Sequence, residues 1–126
     1  IETINESIPS TLDATALCKM ADRGQIVGGI LDGPLGFDLA ISKKSAEVKG
    51  IESEVAGEAD IIIVPDVESG NMLYKQMTYL AGSEAAGLVL GAKVPIILTS
   101  RGNDVGSRKA SSAMALLYAR RKNKPQ

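Results

Sequence analysis

Two apolar patterns alternate along the chain. Leu12, Thr15, Ala16 and Met20 recur at spacings of three and four behind Ser10 and Thr11, with Gly24 as a stop, which predicts a helix. Ile26 to Leu31 is instead an unbroken apolar run, the pattern of a strand buried on both faces, and it ends at the turn-forming Asp32-Gly33-Pro34. Phe37 to Ser42 reads as a helical turn and Ser45 to Glu54 as a polar surface excursion. Asp60 to Val64 is the clearest predicted strand, because its β-branched run is continuous and Pro65-Asp66 stops it. Ser69-Gly70-Asn71 then leads into a helix with Met72, Leu73, Gln76, Met77 and Leu80 on one side.

Gly87 to Leu90 and Pro95 to Thr99 are two further predicted strands. Only Gly91 to Val94 separates them, too short a link for a parallel crossover, so they are expected to pair as an antiparallel hairpin. The loop from Ser100 to Asp104 precedes a last helix from about Gly106 to Arg121, with Ala110, Ala113, Met114 and Leu117 facing inward. The succession of helices and strands predicts an α/β layered domain with a mostly parallel, buried sheet and one antiparallel pair.

Composition narrows the function classes. A chain of 126 residues with 44% hydrophobic and 3% aromatic residues suits one compact domain with an aliphatic core. Fourteen Lys and Arg face fifteen Asp and Glu, which gives no support for nucleic-acid or membrane-surface binding. The one basic cluster, Arg120-Arg121-Lys122 with Lys124, reads as a solvated helix end. A single cysteine, Cys18, excludes an internal disulfide and fits a reducing, cytoplasmic setting. No apolar run is long enough for a membrane span, and no signal-peptide pattern is present. The chain opens at Ile1 rather than Met, and it is expected to be part of a longer polypeptide.

Three predicted strands end in polar turn residues: Asp32, Asp66 and the pair Ser100-Arg101. Ligands of open α/β sheets bind beyond the carboxyl ends of the strands, so parallel strands would gather these residues on one edge. Turn formation alone explains each ending taken singly. Gly70 and Asn71 at a helix start would present N–H groups to an anion, with Lys75 one turn further on the same face. The plainer reading is a helix capped by Ser69 with a solvated lysine. Arg101 offers a guanidinium fork that matches phosphate oxygens, and Asp104 can orient it, act as a base or cap the last helix. The chain has no histidine, which excludes a Ser-His or Cys-His nucleophile system within it. Cys18, mid-helix, reads as a packing residue.

Three blocks together resemble the phosphate acetyl/butyryltransferases, and the butyryl branch more than the acetyl branch. They are DGPLGFDLAIS from Asp32 to Ser42, ADIIIVPDVESGNMLYK from Ala59 to Lys75, and VLGAKVPIILTSR from Val89 to Arg101. The resemblance implies a two-domain α/β subunit related in fold to isocitrate and isopropylmalate dehydrogenases. Residues 1–126 would form its C-terminal part, with the N-terminal wall of the cleft supplied elsewhere. It implies that Ser100 and Arg101 contact the acyl phosphate and the reacting thiol, and that Asn71, Tyr74 and Lys75 line the cleft. An acidic residue further along the Ser-Arg loop is the family's proposed base. Ser107 stands at that distance here, and Asp104 is nearer.

The implied reaction exchanges a short acyl group, butyryl or branched-chain, between coenzyme A and inorganic phosphate, with acyl phosphate as the other product. Coenzyme A is a substrate, no metal is required, and the parent enzyme is expected to be a homodimer. A free thiol near ~8.5 and a carboxylate near ~3.9 lie about 4.6 pH units apart, so either Arg101 favours the thiolate or burial raises Asp104. Two other readings remain at this stage. One is a coenzyme A-binding or dimerisation module without turnover, and the other is a Mg²⁺-dependent dehydrogenase-like site built from Asp32, Asp66 and Asp104.

Overall fold

A computed structural model of the chain describes residues 1–122, and Lys124 of the basic cluster lies outside them. The chain divides into two compact units, one spanning Ile1–Asp66 and one beginning at Val67. No helix among the described residues is long and apolar enough to cross a membrane.

The first unit opens with α1 (Pro9–Asp22). Pro9 occupies the first turn, where its missing N–H costs nothing. The side chain that α1 buries is Thr11, while Leu12 and Met20 stay substantially exposed. The Thr11 hydroxyl donates within 2.9 Å of the Asn5 carbonyl and 2.8 Å of the Ile8 carbonyl and accepts from the Asn5 N–H, pinning the N-terminal segment to the helix. Two short helices follow, α2 (Phe37–Ile41) and α3 (Lys43–Val48). The second was not expected in what reads as a polar surface excursion. It forms because Ser42 caps it, accepting the Ser45 N–H at 3.2 Å, and because Ala46 is buried. Leu39, Ala46 and Ala56, with Leu35 and Ile51 against them, make the unit's core.

The second unit begins with α4 (Val67–Tyr79). The hairpin follows as β1 (Leu88–Val89) and β2 (Ile96–Ile97), antiparallel as expected, with Leu88 opposite Ile97 and Val89 opposite Ile96. The last helix, α5 (Val105–Lys122), packs on both hairpin strands. Its buried residues are Ser111 and Ala115, one position away from the expected Ala110 and Met114, and Met114 is 46% exposed. Arg120 and Arg121 are exposed in its last turn.

Among the described residues the expected mostly parallel sheet is not formed. The hairpin is the sheet found among the described residues, and the fold is mostly helical. Ile26 to Leu31 and Asp60 to Val64 carry no strand pairing, and Val27 is 81% exposed while Ile61 and Ile63 are each 77% exposed. β-branched composition favours an extended backbone, but every ladder bond of a parallel strand goes to a neighbouring strand. These segments have no such neighbour among the described residues. Gly28, at φ +95, also breaks the first of them.

Candidate functional site

The polar residues of the site converge in the second unit. Helix α4 carries Gly70, Asn71, Tyr74 and Lys75, and its start at Val67 puts Ser69 inside the helix rather than at its cap. Tyr74 and Lys75 are half-buried and Asn71 is exposed. The Lys75 ammonium stands 5.1 Å from the centre of the Tyr74 ring and 5.3 Å from that of Tyr79, a double cation–π placement that holds a positive charge in position.

The loop after β2 carries Ser100, Arg101 and Asn103. The Asn103 N–H donates to the Ser100 carbonyl at 3.0 Å, closing a turn. The Ser100 N–H donates in return to Asn103 Oδ1 at 2.5 Å. Asn103 Nδ2 then donates to the Tyr74 hydroxyl at 3.2 Å, joining the loop to α4. Ser100 Oγ accepts the Gly102 N–H at 3.4 Å, so its own hydroxyl proton is left to donate elsewhere. Asn103 was not among the residues singled out from sequence.

Asp104 caps α5. Its Oδ1 accepts the Ser107 N–H at 2.7 Å. The hydrogen bonds from the Ser107 backbone and side chain hold its carboxyl below the usual carboxylate range, outweighing a small opposing effect of desolvation. The sequence left open that burial raises this group; it is instead exposed and shifted downward, further from a thiol.

Two cavities open at this loop. One, of about 430 Å³, is lined by Ala85, Ala86, Gly87 and Leu98 together with Tyr74, Ser100 and Asn103. The other, of about 210 Å³, is polar, with Lys75, Thr78, Ser83, Asp104 and Ser107 on its walls. Tyr74, Ala85, Ser100 and Asn103 border both, so the Asn103–Tyr74 bridge stands where the apolar and polar spaces meet. Arg101 is exposed and borders neither.

Asp32 and Asp66 belong to the first unit and Asp104 to the second. Among the described residues no group of three or more His, Cys, Asp or Glu is arranged so that it could hold a metal ion. Asp32 accepts its neighbour Gly33's N–H at 2.8 Å. Cys18 is half-buried, its thiol 3.7 Å from the Gly33 carbonyl. Desolvation first, and then the charges of Asp32 and Asp22, push that thiol's pKa up, which keeps it protonated and poorly nucleophilic.

Residues 2–116 match the family model described as phosphate acetyl/butaryl transferase. The chain is 59% identical to the phosphate acetyltransferase of Rhizobium meliloti over all of its own length, which is 40% of that protein. It is 47% identical to the phosphate butyryltransferase of Clostridium acetobutylicum over 94% of its length and 40% of that protein. The order of these two identities runs against the leaning of the sequence blocks towards the butyryl branch. A crystal structure of a branched-chain phosphotransacylase from Enterococcus faecalis matches with a TM-score of 0.79 and 33% identity, covering 92% of this chain and 41% of that one. The chain thus spans about 40% of the length of these relatives and has the fold of that part of a phosphotransacylase.

Proposed function

The chain belongs to the phosphate acetyl/butyryl transferase family, and from that premise we propose that it forms the C-terminal part of an enzyme that moves a short acyl group between coenzyme A and inorganic phosphate. The observation that carries this reading is the meeting of an apolar and a polar cavity at Ser100. An acyl phosphate has this character, with an alkyl chain on one side of its carbonyl and a dianion on the other. In this reading the alkyl chain lies among Ala85, Ala86, Gly87 and Leu98 and the phosphate faces Lys75; Asn71, one turn earlier on α4, borders neither cavity. About 430 Å³ accommodates acetyl, butyryl or branched-chain groups. The butyryl or branched-chain preference rests on the sequence blocks alone.

In the direction of acyl phosphate synthesis, an oxygen of hydrogen phosphate attacks the thioester carbonyl, the C–S bond breaks, and coenzyme A leaves as a thiolate that takes up, through solvent, the proton the phosphate gives up. In the reverse direction the thiolate attacks the acyl phosphate and phosphate leaves. The nucleophile belongs to a substrate in both directions, which accords with a chain that has no histidine and whose one thiol is held protonated. Arg101, exposed beside Ser100 and outside both cavities, is assigned the charge of the thiolate and the phosphate by the resemblance, and the Ser100 hydroxyl donates to the oxygen or sulfur that gains charge. Asp104 enters as the anchor of the loop and α5, because its lowered pKa leaves it a weak base. Gly70 lets α4 approach the ligand closely. The free Cys18 fits a reducing compartment, and a cytoplasmic setting stays the expectation.

A chimaera tests this, with residues 1–126 replacing the matching 40% of the R. meliloti protein. It should release free thiol from acetyl-CoA or butyryl-CoA only when phosphate is present. Arg101→Ala should lower kcat by about 10²–10³-fold, the range for losing one preorganised charge donor. Near-normal turnover in that variant would remove Arg101 from the site.

A second reading is favoured by the exposed apolar side chains of Val27, Ile61 and Ile63. In it the chain is a docking module that holds coenzyme A or a second subunit, as in the expected homodimer, without turnover. Binding of coenzyme A by the chimaera without any phosphate-dependent release would favour it.

A further inference from the structure

We propose that Asn103 is a positioning residue that sets the aim of Ser100, acting as a clamp between the Ser100 turn and Tyr74 on α4. The inference rests on the acyl-transfer reading of this site. Its support is geometric. Ser100 has a backbone donor and a backbone acceptor, and Asn103 engages both: Oδ1 takes the Ser100 N–H and the Asn103 N–H bonds the Ser100 carbonyl at 3.0 Å. The remaining group, Nδ2, holds the Tyr74 hydroxyl at 3.2 Å across a sequence separation of 29. One side chain therefore fixes a solvent-exposed serine in its own turn and fixes that turn to a helix. Asn103 is half-buried while Ser100 and Arg101 are exposed, so the clamp is the better-protected part of the loop.

A loop with these two residues exposed and no apolar anchor depends on such bonds for its orientation. A misplacement of about 1 Å at reacting atoms is enough to cost roughly 10²-fold in rate. The clamp also borders both cavities. Its loss would let the carbonyl position drift relative to the apolar and polar spaces without removing any group that binds either part of the substrate.

The type of each bond sets the variants. Asn103→Ala removes the side-chain acceptor and the donor together. In Asn103→Asp the carboxylate still accepts the Ser100 N–H, and the Tyr74 hydroxyl reverses to become the donor, so the clamp is kept. Tyr74→Phe cuts only the link to α4.

The test has two arms. In the chimaera, kcat and KM are measured for phosphate and acyl-CoA. In the chain itself, hydrogen exchange is followed at the Ser100 amide. Asn103→Ala should lower kcat by about tenfold to 10²-fold with both KM values within about twofold, and Asn103→Asp should restore most of the loss. Tyr74→Phe should fall between them. The Ser100 amide should exchange faster in Asn103→Ala and stay protected in Asn103→Asp. An Asn103→Ala chimaera with unchanged kcat, or an Asp variant no better than Ala, overturns the proposal. If the parent chimaera shows no phosphate-dependent turnover, the acyl-transfer reading fails. The exchange arm then still decides the clamp, because equal exchange in parent and Asn103→Ala overturns it.

Discussion

The two units are organised by different forces. In the first, Leu39 is fully buried among Ala46, Ala56, Leu35 and Ile51. Two backbone bonds, from Gly57 N–H to the Leu39 carbonyl at 2.7 Å and from Ala59 N–H to the Ala40 carbonyl at 3.1 Å, stitch the following segment onto α2. In the second, the buried residues of α5 are a serine and an alanine, and side-chain hydrogen bonds join one element to another. Ser111 Oγ accepts the Gly87 N–H at 3.0 Å and donates to the Ser107 carbonyl at 2.7 Å, and Asn103 joins loop to helix. Apolar packing resists small displacements but is costly to truncate. A hydrogen-bonded frame loses less stability from any one deletion, yet each deletion changes where a side chain points. The groups assigned to chemistry, Ser100, Arg101, Tyr74 and Lys75, lie in the unit of the second kind.

That contrast is open to disproof at single residues. Leu39→Ala should destabilise by about 2–5 kcal/mol, the range for a buried leucine whose site collapses only partly. The check is urea unfolding of the first unit's signal, and a loss under about 1 kcal/mol would deny that this core organises the unit. Ser111→Ala leaves the half-buried Gly87 N–H without its side-chain acceptor and should cost about 1 kcal/mol. It should also reshape the apolar cavity, of which Gly87 and Ser111 are walls. Unfolding and the KM for butyryl-CoA, read in the same variant, separate those two effects.

The smallest expected effect is electrostatic. Lys49 Nζ lies 3.2 Å from Asp38 and 3.5 Å from Glu2 on the surface of the first unit. The hydrogen bond from Lys49 is the main reason the Asp38 carboxyl sits below its usual range. A carboxyl with a lowered folded pKa adds stability above its unfolded value and loses it as pH falls through the folded one. The difference in thermal midpoint between parent and Asp38→Asn should therefore be present at neutral pH. It should shrink from about pH 4 downward, starting near the ordinary aspartate value. A difference that is constant down to pH 2 would show that the ion pair contributes nothing measurable, the common outcome for exposed pairs.

Local signals in the sequence carried the elements that local physics decides. The helices α1, α2, α4 and α5 follow from spacing, and Asp104 caps α5, whereas Ser10 and Ser69 lie inside α1 and α4 instead of capping them; the hairpin follows from a link too short for any other connection. Strand pairing is not a local property. Ile61 to Val64 has all the β-branched character of a buried strand, yet it carries no ladder among the described residues. Helix α3 escaped because its core contact is a single alanine within polar sequence. Of the residues that the resemblance implies for the site, Tyr74 and Ser100 border both cavities and Lys75 one, while Asn71 and Arg101 border neither. Asn103 was not legible because its meaning depends on Tyr74, far away in sequence. The signal available was Asn three residues after Ser100 with a glycine between, a turn in which an amide side chain can reach back to the first N–H.

The central claim is that the acyl group passes to phosphate at the junction of the two cavities. Phosphorus NMR of the chimaera supplied with butyryl-CoA and inorganic phosphate tests it most directly, with free thiol followed in the same tube. An acyl phosphate resonance that grows in step with thiol release, and is lost with it in Arg101→Ala, is the expected result. Thiol release with no new phosphorus signal would mean hydrolysis rather than transfer, and would contradict the account.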